Sequence, residues 1–172
     1  MTYHFNMNWK ERYCKAHEED FKKKYPSAYI SGHYFQPALP KYKTANGLTT
    51  LICNFMKWTG HHAERTNNMG RPVKKYFEKF NILSGKLERI ENGVEWQKGT
   101  GIKGSSDIKG HFLNKNFQFS IPIYIEVKVN KDRMSEHQKE YQKTVSQSGA
   151  LYHIARTSED FFLFYDYLLS LK

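Results

Sequence analysis

Residues 103–131 read KGSSDIKGHFLNKNFQFSIPIYIEVKVNK, and the second half of this stretch decides the fold. Ile121 to Val129 is rich in β-branched residues and has a proline near its start, the composition of a buried strand entered at a sheet edge. Strand side chains alternate between faces, so Ile123, Ile125 and Val127 share one side and Tyr124, Glu126 and Lys128 the other. An acid and a lysine on one face of an interior strand need partners, because lone buried charges are costly. A shorter strand, Asp107 to Phe112, follows Gly104, Ser105 and Ser106. A hairpin connection of roughly Leu113 to Ser120 would pair the two strands and set Asp107 across from Glu126. Two carboxylates suit a hard divalent cation such as Mg²⁺, which completes its shell with waters and phosphate oxygens. Lys128 can hold a phosphate oxygen or an attacking water as a point charge.

Upstream, residues 1–43 read as an extra N-terminal segment. Asn8 caps a charged helix that runs to about Tyr25, where Pro26 stops it. The run Lys22 to Lys24 is a solvated face, with DNA contact as the lesser alternative. A loop with aromatic anchors, YISGHYFQPALPKYK, follows. From Thr44 to Gly60 the helix signal is clearest, with Leu48, Leu51, Ile52, Phe55 and Met56 on one face and Thr44 or Asn46 as the cap. HHAERTNNMGR then reads as a short strand and turn. His61 and His62 beside Glu64 read as surface strand residues, since no third ligand has a zinc-site spacing. Residues 71–103 hold a basic helix-like piece, RPVKKYFEKF, and a hairpin whose two-residue turn is Asn92-Gly93. The glycines of GTGIKG lack the strand-to-helix order and GK[ST] ending of a phosphate loop.

Downstream, Ser135 caps a helix from about Glu136 to Gln147, with Gln138 on its first turns and Tyr141 three residues on. Gly149 ends it. Ala150 to Arg156 is a final short buried strand. Ser158 caps a last helix, with Glu159 and Asp160 at its positive end and Phe161, Phe164, Tyr165 and Leu168 as its apolar stripe.

The composition bounds the class. With 172 residues the chain is read as one domain with a proper core. Lysine and arginine number 27 against 17 acids, a net charge of +10 that favours a polyanionic partner, nucleic acid before anionic membrane. Cys14 and Cys53 lie far apart in helical contexts, which suits a reducing compartment and no disulfide framework. No apolar run reaches transmembrane length and the first residues lack a signal-peptide core, so the expected location is the cytoplasm.

The sequence SSD followed by IEVK resembles the PD-(D/E)XK nuclease superfamily, with Ser106 where that pattern usually has proline. Within it, the chain is most similar to VRR-Nuc and Holliday-junction-resolvase-type nucleases, over roughly Thr44 to Leu171, with 71–103 divergent. The resemblance extends to Gly60 and Arg65 after the first helix, to Gln138, and to the ending of helix, glycine, strand and Ser-Glu-Asp helix. It implies an α/β, restriction-endonuclease-like αβββαβ core, with a mixed central sheet flanked by helices, an N-terminal helical extension and a β-hairpin insertion.

The implied activity is Mg²⁺-dependent DNA cleavage, with Mn²⁺ able to substitute, on branched DNA such as a Holliday junction. The implied molecule is a homodimer of the small stand-alone type frequent in bacteriophages, acting in DNA recombination or packaging in the host cytoplasm. Asp107, Glu126 and the Val127 backbone carbonyl would hold the metal, Lys128 would serve the water or the developing charge, and Gln138 would approach the site. Arg65, Arg71, Lys103, Ser105, Lys109 and Lys131 are the expected DNA contacts, and the 71–103 hairpin either grips DNA or is a solubilising flap. The family usually carries an acid on the first helix, and Thr44 to Trp58 has none. Asn46 as a neutral oxygen ligand, Glu64 from the next strand, or a site with fewer carboxylates would each answer that. A non-cleaving DNA-binding module on the same fold and a less specific DNA nuclease are the alternatives; a tyrosine-based RNA binder lacks a recognisable motif.

Overall fold

The computed structural model describes residues 7–66, 71–97, 101–114 and 119–171, and of Arg71 the backbone alone. In chain order the elements are α1 (Trp9–Lys24), α2 (Pro26–Ile30), α3 (Ala45–Trp58), β1 (His62–Arg65), β2 (Arg71–Asn81), β3 (Lys86–Gln97), β4 (Ile108–Asn114), β5 (Phe119–Val127), α4 (Glu136–Gln147), β6 (Leu151–Ala155) and α5 (Ser158–Ser170). They form two compact units, one from Met1–Thr66 with Gly104–Lys172 and a second from Asn67–Lys103.

The larger unit is a mixed α/β fold. Its sheet runs β1-β4-β5-β6, antiparallel from β1 to β5 and parallel between β5 and β6. Alternation along the strands sorts the two faces. Ile108 and Phe112 of β4, Ile123, Ile125 and Val127 of β5, and Ala155 of β6 point to one side. There they join Leu51, Ile52 and Phe55 of α3 and Phe161, Tyr165 and Leu168 of α5 in a single core. Lys109, Tyr124 and Glu126 lie on the opposite face, where α4 packs: Tyr141 meets Tyr124 edge-on at 6.1 Å, with Lys109 Nζ 5.8 Å from its ring.

The N-terminal helix is more than an appendage. Asn8 and Glu11 form a reciprocal capping box. Trp9, Tyr13 and Ala16 belong to the same core, and Arg12 makes a two-pronged ion pair with Asp166 of α5 at 2.6 and 3.0 Å. Pro26, expected to stop the chain's first helix, does so and opens α2 from its first position.

Three local readings are corrected. His61 is buried, stacked on Phe112 and bonded to the Tyr165 hydroxyl at 3.1 Å, because it precedes the strand and turns into the core. The cap of α5 is Thr157, whose Oγ1 accepts from the Asp160 amide, while Ser158 is already helical and buried. The third concerns the second unit, an antiparallel pair of β2 and β3. RPVKKYFEKF is strand rather than helix, and the chain reverses after Asn81, whose Oδ1 accepts from the amides of Leu83 and Ser84. Asn92 and Gly93 sit inside β3, both opposite Lys75, as a β-bulge that the φ of +81° at Gly93 permits.

No helix among the described residues is long and apolar enough to cross a membrane.

Candidate active site

The site forms where β4 begins and β5 ends. Ile108 pairs with Ile125, so one step outward Asp107 comes opposite Glu126. Asp107 is fixed by two contacts, its Oδ2 accepting from the Val127 amide at 2.9 Å and its carbonyl accepting from the Thr66 amide at 2.8 Å, while on either side of it the Ser106 hydroxyl donates to the Ile108 carbonyl at 3.0 Å. Gly104 sets the approach of this segment. It has φ of +82°, and a Cβ there would lie 2.4 Å from the His137 carbonyl oxygen, so the chain passes directly over the first turn of α4.

That first turn delivers Gln138. Ser135 and Gln138 form a capping box, in which Gln138 Oε1 accepts from the Ser135 amide at 2.9 Å. The amide nitrogen of the same side chain donates to Glu126 Oε1 at 2.5 Å. A helix-capping residue thus also anchors the buried carboxylate. Lys128 lies just past the end of β5, its amide bonded to the Ala155 carbonyl, and its Nζ is 3.1 Å from Glu126 Oε1 and 3.2 Å from Asp132 Oδ2.

Glu126 is 1% exposed. Burial, then the neighbouring Asp107 charge, pushes its pKa up to about 7 against the opposing pull of Lys128. Burial acts on Lys128 in the sense of neutralising it, but the Glu126 and Asp132 carboxylates outweigh that and leave its pKa raised, so it stays a cation. Among the described residues, Glu126 Oε2 and the Tyr152 hydroxyl on this face are buried without a hydrogen-bond partner, as is Thr66 Oγ1 beside Asp107. An unmet buried polar group costs on the order of 1–3 kcal/mol, more when charged.

The expected residues separate into those the fold gathers and those it does not. Asp107, Glu126, Lys128 and Gln138 come together, with Val127 between the acid and the lysine. Asn46 is exposed, and its Oδ1 accepts from the Arg65 guanidinium at 2.5 Å, so this oxygen already faces a cation. Glu64 is exposed on β1, opposite Lys109. Ser105 is only 6% exposed, Lys109 is half-buried, and Lys131 and Arg65 are exposed. In the second unit, Lys103 is exposed and the Arg71 side chain lies outside the described residues. Asp132 and Tyr152 escaped the sequence reading. Asp132 stands four residues after Lys128, a spacing that gives a weak signal; Tyr152 depends on β6 lying beside β5, which residue spacing does not reveal.

Among the described residues no group of three His, Cys, Asp or Glu side chains is arranged to hold a metal. Two facing carboxylates, with a buried Oε2 that has no partner, nevertheless fit a hard cation that draws its remaining oxygens from backbone, water or phosphate. Comparison with protein-family models, with curated proteins and with solved structures gave no match.

Proposed function

We propose that this chain is a Mg²⁺-dependent endonuclease on a PD-(D/E)XK-type core, hydrolysing DNA phosphodiester bonds and acting on branched DNA such as a Holliday junction, as a homodimer. The observation that carries this reading is the buried Glu126–Lys128 pair held across the sheet from Asp107. Asp107, Glu126 and the Val127 carbonyl would hold the cation, which on binding supplies Lewis acidity toward phosphate and water. Gln138 fixes Glu126 through Oε1 and leaves Oε2 for that role. Lys128, charged at neutral pH, orients the attacking water or offsets negative charge growing on the phosphoryl oxygens. The net charge of +10 favours the DNA backbone as partner.

A second reading, a DNA-binding module that does not cleave, draws on α3, which has no acid and whose Asn46 is engaged by Arg65. One assay separates the two. The protein is incubated with a labelled four-way junction and a matching linear duplex, in Mg²⁺ or chelator, beside Glu126→Gln. Paired nicks in the junction that need Mg²⁺ and vanish in the variant are expected; binding without cleavage in any divalent metal would select the second reading.

A further inference from the structure

We propose that the Tyr152 hydroxyl is a further part of this site and donates a hydrogen bond to the water or phosphate oxygen held beside Glu126 Oε2. This rests on the nuclease reading above. In the parallel β5–β6 ladder Tyr152 pairs with Tyr124, and Glu126 pairs with Ile154, so Tyr152 and Glu126 point to the same, α4-facing side of the sheet. The Tyr152 hydroxyl oxygen is buried and bonded to nothing, although buried hydroxyls in folded proteins are nearly always paired. Phenylalanine would fill the same space without that cost, so packing alone does not account for the oxygen.

The unmet groups are complementary. Glu126 Oε1 is taken by Lys128 and Gln138, while Oε2 is an acceptor without a donor; Tyr152 offers a donor without an acceptor. The largest charges acting on the phenol are those of Glu126 and Asp107, the two carboxylates of the site, followed by Tyr141. Burial first, and then these charges, hold it firmly protonated, so it remains a donor at any pH at which the protein would work. A single oxygen placed between Tyr152 and Glu126 would satisfy the first and stand next to the second.

Tyr152→Phe removes the hydroxyl and keeps the ring. Three quantities are read on the purified full chain: the melting temperature, Mn²⁺ affinity by calorimetry without DNA, and single-turnover junction cleavage in Mg²⁺, with Glu126→Gln as reference. The variant is expected to melt at or above wild type while cleavage falls about tenfold, the value of one hydrogen bond to a charged group. A matching loss of Mn²⁺ affinity assigns the partner oxygen to water; unchanged affinity assigns it to phosphate. Cleavage and Mn²⁺ affinity both within about twofold of wild type would overturn the proposal. If wild type fails to cleave, or Glu126→Gln cleaves equally well, the nuclease reading falls on its own. The Mn²⁺ arm then decides for Tyr152, with an unchanged affinity overturning its role.

Discussion

At the scale of single residues, the proposed function rests on Glu126. Its carboxyl titrates near neutrality because burial and Asp107 outweigh the contact with Lys128, and a cation must displace that proton to bind. Below pH 7, Mn²⁺ affinity measured by calorimetry is expected to fall about tenfold per pH unit, and above it to level off. Folding carries the same linkage with a definite sign. The folded pKa lies above the ordinary 4.5, so the native state holds its proton more tightly and loses stability as pH rises from 4.5 through 7. In metal-free buffer Glu126→Gln should therefore gain on wild type by about 2–4 kcal/mol between pH 5 and pH 8, read by denaturant titration. Strand alternation was enough to put Glu126 and Lys128 on one face and Asp107 across from them. Asp132 on Lys128, Arg65 on Asn46 and the placement of Tyr152 were not legible, since each depends on which elements meet in space.

Among the elements, the junction between the segment before β4 and the start of α4 holds the site in register. Gly104 permits it twice, by its left-handed backbone and by its contact with the His137 carbonyl. Gly104→Ala is expected to cost about 2–4 kcal/mol from strain and overlap. It should also lower cleavage under conditions where the variant remains folded, because Gln138 moves with that turn. A melting temperature equal to wild type would contradict the close approach. The helices α3 and α4 were readable down to their caps, Thr44 and Ser135, whereas the short α2 was not read and the cap of α5 was placed one residue late. The insertion was readable as a hairpin, but not the place where it turns. Asn92-Gly93 is a strong turn signal in isolation, yet ten ladder pairs run the length of β2 and β3 and absorb it as a bulge. The reversal goes instead to Asn81, whose side chain organises the turn. RPVKKYFEKF misled because Val73, Tyr76, Phe77 and Phe80 recur at the i, i+3, i+4, i+7 spacing of a helix, a period that pairing with β3 overrides.

For the whole molecule, the mixed sheet and its flanking helices follow from one buried strand, β5, with neighbours of opposite direction on its two sides. The place of α1 in the core was hidden, because its charged composition masks the three side chains it buries, Trp9, Tyr13 and Ala16. On the proposed function, the net charge of +10 supplies affinity for DNA and the carboxylates supply cleavage, so the two should separate. Asp107→Ala tests this most directly, with junction affinity and single-turnover cleavage measured on the same labelled DNA at one fixed salt concentration. Cleavage should fall by at least about 100-fold while affinity holds or rises, since a carboxylate that repels phosphate is gone. Cleavage by Asp107→Ala at the wild-type rate would contradict the assignment of the site.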